Sequence, residues 1–289
     1  MSASGIFRGT SAAAGRPDGA GLPQARGNPE SAASAVNPPS AAGADLAAVY
    51  RLAGQCLPWC VGAAVLLGAT GLVVALLLAP MDTEQGEVHR IVFLHVPAAW
   101  LSLTGYALMA VAAGWGVWPG PHRLGAGQGV VMAHLVADAL APTVSMLALL
   151  ALWTGAMWGK PGWGAWWVWD ARLTAQGLLL LLVMGFVVLQ AIDENTVRAR
   201  RLGAMLVLGG VVQIPAVYLG AQGLAGMRPD AAGLLPWPVL AAGSLLGMGL
   251  MLAATAAWLA AATLCRLRSL LLEADPGAHW VQALPEVRA

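Results

Sequence analysis

The chain has 289 residues, of which 58% are hydrophobic and only 10% charged, and its mean hydropathy is +0.70. A soluble domain carries about 25% charged residues, so this composition argues strongly against a soluble multi-domain enzyme and predicts a helical protein surrounded by lipid. The net charge of +1 gives no electrostatic footprint for nucleic acid, so we expect no nucleic-acid partner.

The first 46 residues are rich in Ala, Gly, Ser and Pro and contain almost no large apolar side chains. Such a segment gains too little from burial to offset the entropy of ordering. We therefore predict a disordered extension over 1–46 and a membrane domain over 47–265. Residues 266–289 are predicted to form a polar C-terminal tail with no clear fold.

Six charge-free apolar runs follow the extension, each long enough for a helix that crosses a bilayer about 30 Å thick. They lie at 59–79, 92–118, 129–153, 173–192, 202–221 and 237–264. Arginines gather at the span ends that share a side with the termini, so the positive-inside rule predicts that both termini are cytoplasmic. The loops after spans one, three and five should then share the outer face of the membrane.

The segment 158–170, WGKPGWGAWWVWD, lies in one of these outer loops and contains five of the 13 tryptophans. An aromatic belt at the membrane interface explains one or two of them. A denser surface favours a planar, amphipathic ligand whose carboxylates pair with Lys160 or Arg172, and a purely structural belt is the alternative. The predicted fold is thus all-α, a polytopic membrane protein with six transmembrane helices and a Trp-rich periplasmic segment that includes short interfacial helices near 163–169.

His95, in RIVFLHVPAAW, lies at the outer end of span two, near the depth of the Trp-rich segment. An ionisable residue at membrane depth is a functional hypothesis, and a neutral imidazole is a suitable axial ligand for haem iron. A hydrogen-bonded structural histidine is the alternative, with His89 in the same loop as a reserve ligand. His134 and Asp138 share one face of span three and are interpreted as packing groups rather than as a proton path.

The stretch GKPGWGAWWVWDARLT, 159–174, resembles the tryptophan-rich WWD signature of membrane haem-handling proteins, and HVPAAW, 95–100, fits one branch of them. With six spans and cytoplasmic termini, the chain resembles the CcmC family, which delivers haem in system I cytochrome c maturation. The resemblance implies haem b, held transiently outside the membrane between the WWD surface and two axial histidines and passed to the periplasmic chaperone CcmE. It also implies a location in the bacterial cytoplasmic membrane. The partners that it implies for a protein that hands haem on are CcmD and the transporter subunits CcmA and CcmB.

His95 matches the first of the two axial histidines that the resemblance implies. The second is expected in the loop after span five, but LGAQGLAGMRPDAAGLLPW contains no histidine, and Met227 lies near the expected place. Because methionine ligates haem in cytochromes c, we expect His95 and Met227 to hold the iron, with His95 alone or with His89 as alternatives. The predicted haem-binding residues are His95, Trp163, Trp166, Trp167, Trp169, Asp170, Arg172 and Met227.

Asp170 ends the tryptophan run directly before span four, so we expect it to cap that helix or to contact the chaperone. Two other function classes stay open, a haem-containing electron-transfer subunit and a permease for another small molecule. The first needs paired histidines deep inside helices, and the second needs polar residues in several spans. The sequence contains no motif for nucleotide hydrolysis or for an activated nucleophile.

Overall fold

Helices make up nearly all of the chain that can be described. The computed structural model describes residues 41–80, 86–117, 127–192, 196–215, 242–274 and 276–282. The α-helices are α1 (Ala41–Val73), α2 (Val92–Val117), α3 (Gly127–Trp163), α4 (Ala171–Ile192), α5 (Thr196–Gly209), α6 (Ala242–Ala274) and α7 (His279–Gln282). A π-helical turn, Val74–Leu78, continues α1, and 3₁₀ turns at Glu87–Ile91 and Gly210–Val212 precede α2 and follow α5.

Five helices in the described ranges, α1 to α4 and α6, are long and apolar enough to cross a membrane. They confirm the predicted all-α, multi-pass membrane fold. The predicted fifth span, 202–221, corresponds to α5 and its 3₁₀ turn, and its residues beyond 215 lie outside the described structure. α1 begins at Ala41, inside the predicted extension 1–46. Residues 1–40 of that extension lie outside the described structure.

α2 and α3 pack against each other, and α6 packs against both of them and against α1. Helices in lipid associate mainly through close packing, which small residues at the interface allow. Gly105 of α2 is an example, because a Cβ atom built there would lie 2.5 Å from Cγ2 of Val144 in α3. A side chain at this position would force the two central helices apart.

A buried tyrosine ties α5 to α2. The hydroxyl of Tyr106 is fully buried and donates a hydrogen bond to the carbonyl oxygen of Val207 at 2.9 Å. This carbonyl lies one turn before α5 tightens into the 3₁₀ turn at Gly210, where the regular helical bonding pattern changes. A Cβ atom on Gly210 would overlap the Tyr106 hydroxyl, so glycine is required for this contact.

The predicted absence of a clear fold in the tail is wrong for part of 266–289. α6 continues to Ala274, and the short helix α7 follows it. Leu271 is fully buried in a cluster with Tyr50, and the Trp280 ring lies 5.6 Å from the Tyr50 ring. α6 is therefore longer than a bilayer requires, and the apolar residues near its end pack on the start of α1.

The ends of several helices meet where the sequence predicts the outer face. The end of α1, the start of α2, the end of α3 and the start of α6 share an apolar cluster that includes Ala75, Phe93, Trp158 and Met248. Arg90 strengthens this junction, because its Nη1 donates to the carbonyl oxygen of Ala75 at 2.7 Å. The loops after spans one and three thus emerge at the same end of the bundle, as predicted.

Candidate functional site

The first part of the Trp-rich segment is helical, because α3 continues to Trp163. The side chain of Trp163 lies outside the described structure. Gly164 follows with φ of 74°, a conformation that glycine adopts without a steric penalty. Lys160 closes this turn, since its Nζ donates to the Gly164 carbonyl at 2.8 Å and its own carbonyl accepts from the Gly164 N–H at 3.0 Å. The backbone over 164–170 is not helical, so the predicted interfacial helices are wrong there.

Three tryptophans after this turn form an exposed aromatic surface. Trp166, Trp167 and Trp169 are 60%, 39% and 82% exposed. The Trp167 and Trp169 rings meet edge to face, with centroids 5.4 Å apart, and Lys160 Nζ lies 5.9 Å from the centroid of the Trp166 ring. Their ring faces are therefore open to lipid or to a flat ligand at the end of the bundle where the apolar cluster lies.

Asp170 caps α4, as predicted from its position. Its Oδ1 accepts a hydrogen bond from the Leu173 N–H at 2.7 Å, and its carbonyl oxygen accepts from the Thr174 N–H at 3.1 Å. Its Oδ2 lies 3.7 Å from Nη2 of Arg172. Because the carboxylate serves the helix terminus and an arginine, Asp170 fixes the end of the tryptophan surface to α4.

His95 is half-buried near the start of α2, and α3 supplies its hydrogen-bond partners. Its Nδ1 lies 3.0 Å from the carbonyl oxygen of Ala151 and 3.1 Å from Oγ1 of Thr154. The Thr154 hydroxyl donates its own hydrogen to the Leu150 carbonyl at 2.7 Å, so its oxygen accepts from the imidazole. Both partners are acceptors, and Nδ1 must carry the proton.

The Nε2 atom of His95 consequently holds the lone pair of the ring, through which a neutral imidazole can bind a metal. A metal-ligating histidine commonly donates its other ring N–H to a carbonyl or carboxylate, which fixes the tautomer and the ring orientation. The contacts of His95 with α3 are of this kind.

Two more residues of α3 complete the surroundings of His95. A Cβ atom on Gly155 would lie 3.0 Å from Cε1 of the imidazole, and the Trp158 ring lies 5.8 Å away at an interplanar angle of 66°. Together with Ala151 and Thr154 they occupy positions i, i+3, i+4 and i+7 of one helix face, and we call this set the His95 cradle. The helical spacing of these four residues is visible in the sequence, but it does not show that they meet His95.

Arg172 lies close enough to His95 for its positive charge to act on the imidazole. The start of α4, where Asp170 and Arg172 lie, is thus within electrostatic range of His95 and directly follows the tryptophan surface. His89 also lies near the His95 cradle, with its ring 6.3 Å from the Trp158 ring. Met227 lies outside the described residues, so the predicted second iron ligand has no structural description.

His134 and Asp138 lie toward the other end of α3. A Cβ atom on Gly116 of α2 would come within 2.7 Å of the His134 ring, so this imidazole fills a gap between the helices. The packing interpretation therefore fits His134. Oδ1 of Asp138 is buried and forms no hydrogen bond with a residue in the described ranges.

The profile of a known family, CcmC, described as heme exporter protein C, matches residues 41–282. The chain belongs to the CcmC family. A relative named heme exporter protein C from Escherichia coli strain K12 is 37% identical over 249 residues, covering 82% of this chain and 92% of the relative. Relatives with the same name from Haemophilus influenzae and Bradyrhizobium diazoefficiens are 34% and 39% identical, covering 82% and 57% of this chain and 93% and 59% of their own lengths.

The CcmC match covers each motif that carried the resemblance. HVPAAW at 95–100 and the Trp-rich stretch 159–174 both lie inside residues 41–282. The resemblance drawn from these motifs is thereby confirmed.

Proposed function

We propose that the chain binds haem at the outer face of the cytoplasmic membrane and delivers it to the periplasmic chaperone CcmE during maturation of c-type cytochromes. Membership of CcmC supports this function, and one observation carries it: acceptors hold the proton of His95 on Nδ1, which puts the lone pair that can bind iron on Nε2. Haem is the cargo, so the chain needs binding and release and no turnover chemistry of its own.

The tryptophans supply the area on which the porphyrin rests. Trp166, Trp167 and Trp169 expose flat apolar faces, and Trp163 belongs to the same surface in this proposal. Haem b suits such a surface because it is planar and is not covalently attached. Arg172 pairs with a propionate and places that end of the haem near His95, while Asp170 acts through the cap that holds the surface in place.

Met227 is proposed as the second axial ligand of the iron. It lies in the loop that follows the α5 region, where the family resemblance calls for a ligand and the sequence has no histidine. A His and Met pair is an established haem ligand set. Replacement of Met227 by alanine should therefore change the axial-ligand signature of bound haem, whereas replacement by histidine should retain tight binding with a two-histidine signature.

The orientation in the membrane follows from charge. Arg198, Arg200 and Arg201 at the start of α5 and Arg266 and Arg268 in α6 lie away from the His95 end of the bundle. The positive-inside rule then puts both termini in the cytoplasm and His95 on the periplasmic side. In that orientation CcmE receives the haem, and CcmD, CcmA and CcmB are the other proposed partners.

The first experiment is the haem absorption spectrum of the protein purified in detergent. The variants are His95→Ala and the pair Trp166→Ala plus Trp167→Ala. Matched controls are His134→Asn, at the other end of α3, and Trp59→Ala, a tryptophan of α1 that is 81% exposed. Loss or shift of the haem spectrum in the site variants, with parent spectra in both controls, is the expected result.

Delivery is tested separately, by measuring haem that appears on CcmE in membranes containing the parent chain or His95→Ala. The parent should load the chaperone, and the variant should not. Parent-like spectra in all site variants would contradict the proposed haem site and favour the permease. Reduction of the bound haem by quinol at a catalytic rate would favour the electron-transfer subunit.

A further inference from the structure

We infer that Thr154 is a positioning residue that sets how strongly His95 holds oxidised haem. This inference rests on the proposed function, since it concerns the ligand of the same iron. Thr154 is only 6% exposed and contacts the imidazole from the neighbouring helix, 59 positions along the chain. Its hydroxyl oxygen and the Ala151 carbonyl share the single proton on Nδ1.

The Thr154 hydroxyl lies near two carbonyl oxygens of its own helix, those of Leu150 at 2.7 Å and Ala151 at 3.3 Å. A hydroxyl has one hydrogen, and at 2.7 Å the Leu150 carbonyl is its nearest acceptor. The hydroxyl oxygen, 3.1 Å from Nδ1, is therefore left to accept from the imidazole. A valine at this position has nearly the same shape and lacks this acceptor.

An acceptor on Nδ1–H makes the imidazole a stronger donor through Nε2. A stronger donor favours ferric over ferrous iron, because the ferric ion has the greater need of electron density. Thr154 consequently strengthens the binding of ferric haem by His95 more than the binding of ferrous haem.

The four residues of the cradle contact the imidazole in two ways. Gly155 and Trp158 bound it by shape, whereas Thr154 and Ala151 meet it with acceptors. Thr154→Val keeps the shape and removes the acceptor together with the hydrogen bond from Thr154 to Leu150. Thr154→Ser restores the hydroxyl and serves as the rescue variant.

The experiment adds hemin to the detergent-purified full chain and measures two quantities. One is the rate at which apomyoglobin captures ferric haem from it, and the other is the reduction potential of the bound haem. Thr154→Val should release ferric haem about tenfold faster, at the low end of what loss of an outer-shell partner costs. If ferric haem alone is bound tenfold more weakly, the reduction potential of the bound haem rises by about 59 mV.

Thr154→Ser should match the parent in both quantities. A parent rate and potential in Thr154→Val, or the same change in Thr154→Ser as in Thr154→Val, overturns the inference. If Thr154→Val does not fold, Thr154→Ala and Thr154→Ser give the same comparison of absent and present hydroxyl. A parent spectrum in His95→Ala would instead overturn the proposed haem site, and this inference with it.

Discussion

Replacing Gly155 with alanine perturbs His95 by a single methyl group. The new Cβ would lie 3.0 Å from Cε1 of the imidazole, against about 3.5–4.0 Å for an ordinary contact between carbon atoms. The ring must move away from α3 by a few tenths of an ångström, which lengthens the 3.0 and 3.1 Å hydrogen bonds of Nδ1. Weakening this pair costs about 1 kcal/mol, or about fivefold in haem affinity.

Folding should not suffer in the same variant. Alanine is favoured over glycine inside a helix by about 0.5–1 kcal/mol, which offsets the strain of the contact. Gly162→Ala is the matched control, because it lies in the same helix and a Cβ there meets nothing within 4 Å. Hemin titration followed by absorbance should show weaker binding only for Gly155→Ala, with thermal unfolding at or above the parent midpoint for both. Equal haem affinities in the two variants would refute this reasoning.

Substitutions at three further positions test the scaffold. Tyr106→Phe leaves the Val207 carbonyl without its donor and should lower stability by about 1 kcal/mol, seen as a lower unfolding midpoint in detergent; an unchanged midpoint would contradict this. Asp170→Ala removes a helix cap of about 1 kcal/mol and should speed hydrogen exchange at the Leu173 amide. Asp170→Asn should largely restore protection, because its side-chain oxygen can accept the same hydrogen bond; exchange as fast as in Asp170→Ala would contradict this. Trp280→Ala should expose α7 to proteolysis while the haem spectrum stays that of the parent; loss of haem would show that the two ends are coupled.

Local chemistry was predictable where a residue and its partner are close in sequence. Asp170 caps α4 by bonding to Leu173, three residues away, and its position before an apolar run was enough to predict this. His95 was predicted at the mouth of span two for a similar reason, because its depth follows from the length of the span. Neither prediction needed knowledge of how the helices pack.

The cradle could not be predicted in the same way. Thr154 meets His95 across an interface whose register depends on close contacts such as Gly105 against Val144. One turn of slippage between α2 and α3 would pair His95 with different residues. Spacing shows that residues 151, 154, 155 and 158 share a face of α3, but it does not show which histidine that face receives.

Helix ends were also hard to place from apolar runs alone. The third apolar run ends at 153, but α3 continues to Trp163. It ends there because the next residue, Gly164, has a left-handed backbone conformation. α6 was expected to stop at 264 and continues to Ala274, because Leu267 and Leu271 have partners to pack on. Bilayer thickness sets the minimum length of a helix and leaves its end to local packing.

The continuity of α3 has a mechanical consequence. One continuous helix bears the acceptors that orient the imidazole and ends in the turn at Lys160 and Gly164, from which the tryptophans follow. From Thr154 to that turn is about two turns of helix. A shift of this end of α3 is therefore expected to displace the acceptors of His95 and the base of the tryptophan surface together.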